Sequence, residues 1–137
     1  MVLLDTGPAV ALFDPRDGDH RACRARLEAL REPLVTTIAV LTEAFHILSP
    51  ESVGSHRLRQ FLLAGGASVH TIGDSGLARA SELMETYSNL PMDLADASLV
   101  VTAEQLPTRR IFTLDHRDFS SYRIRQGRRH LAFEILR

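Results

Sequence analysis

The chain contains no lysine and no tryptophan, and it has a single cysteine, Cys23. Without lysine, a Walker P-loop lacks the side chain that reaches the phosphates, and a Schiff-base enzyme lacks its amine. Response-regulator receivers and haloacid-dehalogenase-type phosphatases lose the lysine that works beside their aspartates. All 16 basic residues are arginine, a pattern that a GC-rich coding sequence also produces; the exclusions hold under either cause. One cysteine makes neither an internal disulfide nor a zinc-finger ligand set, so the fold stands on packing and a reducing cytoplasm is expected. Long apolar runs are also missing. Met1–Leu4 is cut short by Asp5 and Gly7-Pro8, with no basic leader and no small-residue cleavage site. No stretch approaches the roughly 20 apolar residues of a membrane helix, so no membrane association is expected. With 6 prolines and 8 glycines there is no low-complexity tract. What remains is an ordinary globular composition, 45% hydrophobic and 24% charged over 137 residues, sized for one domain spanning 1–137.

Short apolar runs alternate with helical periods. Strands are predicted at Val2–Leu4, Leu34–Thr37, Ser68–Ile72 and Ile111–Leu114, with weaker candidates at Tyr122–Arg125 and Leu131–Leu136. Thr6-Gly7-Pro8 reads as a helix start leading into Ala9–Phe13. Further helices are predicted at Arg21–Arg31, Ala39–Leu48, Ser52–Leu63 and Asp74–Tyr87, the last behind an Asp74 cap. Another opens at Pro91-Met92-Asp93 and runs to about Gln105. Strands joined by helical crossovers imply a mostly parallel sheet covered on both faces, hence an α/β class. Ligands of such sheets bind beyond the carboxyl ends of the strands. Asp5 and Asp115 stand at two such ends.

Either aspartate taken alone is equally a turn or cap residue, as are Asp115 and Asp118 around His116-Arg117. Glu43 is harder to assign to a surface. Its helical neighbours are Ala39, Val40, His46 and Ile47, and the Leu41/Ala44/Phe45/Leu48 stripe takes the other face. The helix is therefore expected to be buried nearly all round, where an ionised glutamate costs several kcal/mol unless it meets an arginine or a metal. Asp96 repeats the pattern among Met92, Leu99 and Val100, with Asp93 one turn back as the expected cap. Alternatively, Asp96 complements the first-turn dipole. Four acids on two strand ends and two apolar helices suit a hard divalent cation, Mg²⁺ or Mn²⁺, and such clusters serve phosphodiester chemistry. The histidines (His20, His46, His56, His70, His116, His130) form no i,i+4 pair of the kind zinc sites use.

Four segments carry a resemblance: Leu3-Leu4-Asp5-Thr6-Gly7-Pro8-Ala9, Thr37-Ile38-Ala39-Val40-Leu41-Thr42-Glu43, Pro91–Leu99, and Phe112–Phe119. In this order they resemble a PIN-domain ribonuclease, and within that family a VapC-type toxin of a type II toxin–antitoxin system. The resemblance implies an α/β/α sandwich with a mostly parallel central sheet and an acidic pocket at the strand carboxyl ends. Asp5, Glu43, Asp96 and Asp115 take the family's acidic positions. Asp5 and Asp96 would be the principal Mg²⁺ ligands, with Glu43 tuning or sharing the metal and Asp115 completing the site. Thr6 and Asp93 would support the cluster, and Asp118 lies close enough to Asp115 to replace it. A VapB-type antitoxin and a homodimer are implied as partners. The helices of residues 21–31 and 52–63 have stripes that would serve either contact.

Net charge is −1, yet it is unevenly spread. Residues 109–130 hold seven arginines against Asp115 and Asp118, a formal +5, and the first 108 residues sum to a formal −6. A basic margin beside an acidic pocket would hold an RNA backbone, with Arg117, Arg123 and Arg125 as candidates. Charges protecting an edge strand give the same pattern. Two other functions remain open: a PIN-type RNA-processing nuclease without an antitoxin, and a non-catalytic α/β binding module whose acids are caps and ion-pair partners.

Overall fold

Alternation along the short strands sorts the core into two layers. In the computed structural model, which describes residues 1–137, β1 (Val2–Leu4), β2 (Leu34–Thr36), β3 (Ala67–Val69), β4 (Arg110–Phe112) and β7 (Glu134–Ile135) form one parallel sheet in the order β3-β2-β1-β4-β7. Val2, Leu4, Leu34 and Phe112 point to one side, where they pack with residues of α1 (Thr6–Ala11), α2 (His20–Ala29) and α4 (Val53–Leu63). Leu3, Val35 and Ile111 point to the other, against α5 (Gly73–Thr86) and α6 (Leu94–Gln105). This period-two division is what a sheet with both faces covered requires. α3 (Ile38–Leu48) packs against both α1 and α6. No helix is long and apolar enough to cross a membrane.

The chain adds strands on one side of β1 as far as β3, then crosses to the other side for β4 and β7. The order therefore reverses between β1 and β4, the switch point at which an open α/β sheet leaves a crevice. The Asp5 N–H donates to Phe112 O at 3.0 Å, which fixes the first residue beyond β1 beside the end of β4. Gly7 lies where an added Cβ would stand 3.2 Å from the Leu114 side chain, so the lack of one lets the loop after β4 close over α1.

Most predicted elements are present, with displaced ends. Asp93 caps α6 as expected, its Oδ1 accepting from the Asp96 N–H at 2.8 Å. Asp74 is not a cap but lies in the first turn of α5, whose N-cap is Ile72. There its charge complements the helix dipole. α3 is not buried all round, because Ile38 and Ile47 are 63% and 55% exposed. A short helix, α7 (His116–Ser121), fills a segment expected to be loop, and the carboxy-terminal strand candidate divides in two. β6 (Arg129–Ala132) pairs antiparallel with β5 (Arg123–Gln126), apart from the main sheet, and only β7 joins the sheet. The hairpin turns at Gly127, whose φ of 61° suits glycine at the first position of a tight turn.

α5, α6 and β5 are pinned together by one carboxylate. Arg79 grips Glu104 with two parallel bonds, Nε to Oε1 at 3.0 Å and Nη2 to Oε2 at 3.1 Å, while Oε2 also accepts from the Arg125 N–H at 2.7 Å. Two arginines of the basic carboxy-terminal stretch are also spent on ion pairs. Arg109 meets Glu134 at 3.4 Å, and Arg110 pairs with Glu32, which also binds the Met1 amino group at 3.0 Å. These pairs sit at the amino ends of β1 and β4, at the opposite end of the strands from Asp5. The expected basic margin beside the acids is therefore reduced to residues after Asp115.

Candidate active site

Beyond the carboxyl ends of β1 and β4 lies a cavity of about 690 Å³, lined by Asp5, Asp17, Glu43, Asp93, Asp96, Asp115 and Asp118, with Thr6, Gly7, Leu90 and Leu114 among its other walls. No arginine or histidine lines it. Every acid singled out from the sequence is thus present, together with the two supporting aspartates and Thr6. Asp17 joins them unanticipated, from the turn that precedes α2.

Asp5 is buried, and its Oδ2 accepts the Thr113 hydroxyl at 2.7 Å. The same Thr113 oxygen accepts the Asp115 N–H at 2.9 Å, so one buried threonine couples the acid after β1 to the loop after β4. Burial pushes the Asp5 carboxyl up to about 6, against the opposing Thr113 and Thr6 hydrogen bonds, with Glu43 and Asp115 adding repulsion. Asp96, half-buried in the first turn of α6, is pushed up to about 7, first by burial and then by the charges of Asp93 and Asp5. Its side chain accepts one protein hydrogen bond, from the Tyr122 hydroxyl at 3.1 Å. Glu43 is raised by burial and by Asp93, and the Thr6 hydroxyl reaches its Oε2 at 3.4 Å.

The helices that carry these acids are tied at their amino ends. Thr37 caps α3 by accepting the Val40 N–H at 3.3 Å and bonds the Ser98 hydroxyl at 2.7 Å. Ser98 in turn donates to Ala95 O at 2.7 Å. Asp115 is exposed and caps α7, its Oδ1 accepting the Asp118 N–H at 3.1 Å. Asp118 lines the same cavity and is raised by burial and by Asp115. Capping and cavity lining are therefore not alternatives for Asp93 and Asp115; each does both. His116 contributes differently, with Nε2 3.0 Å from Thr113 O and no place in the cavity wall.

Thr113 and Tyr122 were not singled out from the sequence. Thr113 carried a weak signal, a hydroxyl interrupting the apolar strand end just before Asp115. Tyr122 carried none, since it reads as the start of a strand.

Carboxylates crowded together without a countercharge are protonated or neutralised by a cation. The donors are all oxygen and the walls lack imidazole and thiol, which suits Mg²⁺ or Mn²⁺ and not zinc. No three of the acids converge as a ready-made cage. The donor set fits the ion.

An expected consequence concerns stability. Asp96 holds its proton longer in the folded chain than in the unfolded one, so without metal the folded state loses stability as pH rises from about 4 to about 7. Asp96→Asn removes that loss. It is expected to raise the metal-free melting temperature at pH 8 by ~3–8 °C, about 1–2 kcal/mol for a carboxyl that keeps some contact with water. The gain should vanish near pH 4, as differential scanning calorimetry at the two pH values would show.

Helices on both faces of a parallel sheet, with an uncompensated acidic pocket at its switch point, define a PIN-type α/β/α domain. The PIN domain profile matches residues 2–124, and the chain belongs to the PIN-domain family, in its VapC-type branch. It is 31% identical over 125 residues to ribonuclease VapC26 of Mycobacterium tuberculosis (strain ATCC 25618 / H37Rv), covering 89% of this chain and 92% of that one. The fold is that of VapC20 from the same species, described as a sarcin–ricin loop cleaving toxin. The TM-score is 0.78 at 15% identity, over 85% of this chain and 92% of VapC20. A toxin–antitoxin complex from Klebsiella pneumoniae superposes with a TM-score of 0.68 at 22% identity, over 88% of this chain and 91% of that one.

Proposed function

We propose that the chain is a single PIN domain, 1–137, acting in the cytoplasm as a Mg²⁺-dependent endoribonuclease and as the toxin of a type II toxin–antitoxin pair, with Mn²⁺ able to replace Mg²⁺. The observation that carries the reading is the cavity lined by Asp5, Glu43, Asp96 and Asp115 without one basic side chain, in a chain of the VapC type. Asp5 and Asp96 hold the cation. A bound divalent ion supplies an activated water and neutralises charge that gathers on the phosphate. Glu43, steadied by Thr6, shares or tunes the ion through water, and Asp115 orients the attacking water from the rim, with Asp118 beside it. Asp93 fixes the first turn of α6 and adds to the negative field.

RNA lies along the side of the pocket where free arginines remain. Arg117, Arg123 and Arg125 are exposed and none is engaged in an ion pair with a carboxylate. Arg123 directly follows the tyrosine that touches Asp96, whereas Arg125 stands beside Glu104, eight residues or about 12 Å further along α6. In this reading Arg123, whose Nη1 already donates to Ser120 O and Tyr122 O, meets a phosphate next to the scissile bond, and Arg125 meets one further along the strand.

A VapB-type antitoxin and a second copy of the chain are the proposed protein partners. Ile47 and Leu114 line the acidic cavity, Ile38 and Leu94 line a groove beside it that shares Glu43 and Asp93, and all four are between 40% and 63% exposed. This offers an apolar contact nearer the site than the helices of residues 21–31 and 52–63. Expression of the chain in a bacterial host is expected to arrest growth with internal RNA cuts, mapped by sequencing of 5′ ends. The Asp5→Asn chain should allow growth, and co-expression of a VapB-type antitoxin that binds the parent chain should restore growth to cells making it. Unimpaired growth with uncut RNA, at full expression of a folded chain, would count against the toxin reading.

A further inference from the structure

We propose that Tyr122 is a positioning residue: its hydroxyl, held by a wholly buried ring, fixes the Asp96 carboxylate in the rotamer that meets the divalent cation. The inference rests on the reading of Asp96 as a cation ligand.

The Asp96 carboxylate has little else to hold it. It lies half-buried at the start of a helix among Asp93, Asp5 and Asp115, all of which repel it toward solvent. The carboxylate torsion of aspartate is broad, so geometry at this position must come from a partner. The one protein donor to its side chain is the Tyr122 hydroxyl, 3.1 Å from Oδ2. A bond to one oxygen leaves Oδ1 and the remaining lone pair of Oδ2 to the cavity that Asp96 lines.

The donor itself is enclosed by packing. Tyr122 is fully buried, and its ring meets Tyr87 at 5.1 Å and Phe119 at 5.1 Å, both edge-on, with Phe133 stacked edge-on against Phe119 beyond. It also ends α7, its N–H bonding Asp118 O at 3.1 Å, while the next N–H, of Arg123, donates to the Tyr87 hydroxyl at 2.9 Å. A phenol clamped on both sides and aimed at a lone carboxylate is the arrangement by which outer groups orient metal ligands.

The test uses the full chain and Mn²⁺ alone, with free Mn²⁺ counted by electron paramagnetic resonance at pH 8. Tyr122→Phe keeps the ring and removes only the hydroxyl; it is expected to weaken Mn²⁺ binding about 10-fold with little change in metal-free melting temperature. Tyr87→Phe removes the neighbouring hydroxyl, which does not touch Asp96, and should bind Mn²⁺ as the parent does. Phe119→Leu loosens the clamp but keeps the hydroxyl, so it should lower the melting temperature and weaken Mn²⁺ binding less than Tyr122→Phe does. In an Asp96→Asn background, adding Tyr122→Phe should change nothing further. Unaltered Mn²⁺ affinity in Tyr122→Phe would overturn the positioning role and leave the cation site intact. Equal weakening by Phe119→Leu would also overturn it, reducing Tyr122 to packing. Failure of the parent chain to bind Mn²⁺ would overturn both the role and the reading beneath it.

Discussion

Asp96→Asn and Asp5→Asn are each expected to lower RNA cleavage by about 10³-fold, some 4 kcal/mol of lost transition-state stabilisation, while the chain stays folded. Asparagine has nearly the shape of aspartate and still accepts one hydrogen bond. The Thr113 hydroxyl on residue 5 and the Tyr122 hydroxyl on residue 96 therefore keep an acceptor. What disappears is the negative charge that recruits the cation. Because that charge is resisted by burial and by neighbouring acids, its removal relieves the metal-free fold. Activity and stability thus move in opposite directions, which separates a catalytic pocket from a set of structural carboxylates. A binding module whose acids are caps and ion-pair partners would instead lose stability. Single-turnover cleavage of an end-labelled RNA, run beside thermal melts of the same preparations, distinguishes the two.

Thr113→Val is expected to lower cleavage at limiting Mg²⁺ and neutral pH by 10- to 100-fold, although residue 113 is not a proposed ligand. Its hydroxyl donates to a buried carboxylate and accepts from Asp115. Losing a hydrogen bond to a charged group costs about 1.5–3 kcal/mol. The same bond holds the Asp5 carboxyl down against burial. In the parent chain, Asp5 near 6 and Asp96 near 7 must both ionise to take up the cation, so cleavage at limiting Mg²⁺ should rise with pH across that range. In Thr113→Val the rise should move to higher pH, and added Mg²⁺ should move it back, since cation and proton compete for the same oxygens. A pH–rate profile at two Mg²⁺ concentrations reads this directly. A uniform loss with an unmoved profile would assign Thr113 to folding alone.

The carboxylates were legible as a set: Glu43 stood within an apolar helix where local chemistry gives no reason for it, whereas Asp5, Asp96 and Asp115 each read alone as a cap, turn or first-turn acid and gained weight only together. The parallel sheet followed from strands spaced by crossover helices. What sequence periodicity could not carry was exposure. α3 reads as apolar all round, yet Ile38 and Ile47 face outward, because helical spacing does not say how many faces have neighbours. The basic stretch misled in a related way. The seven arginines of residues 109–130 are scattered from the start of β4 through α7 to the β5–β6 hairpin, and Arg109 and Arg110 serve ion pairs remote from the pocket. Thr113 and Tyr122 were missed because their part depends on a contact across 108 and 26 residues of chain respectively. Each residue alone is an ordinary strand former.

The central claim is that the acidic pocket at the β1–β4 switch point cuts RNA with a divalent cation. The most direct measurement follows one labelled RNA with the purified, partner-free chain in Mg²⁺, in chelator, and in chelator followed by excess Mg²⁺, with Asp96→Asn in parallel. Internal cleavage is expected in Mg²⁺, with its loss in chelator, its return when Mg²⁺ is restored, and about 10³-fold less in Asp96→Asn wherever Mg²⁺ is present. Cleavage that survives chelation, or that Asp96→Asn retains in full, would contradict it.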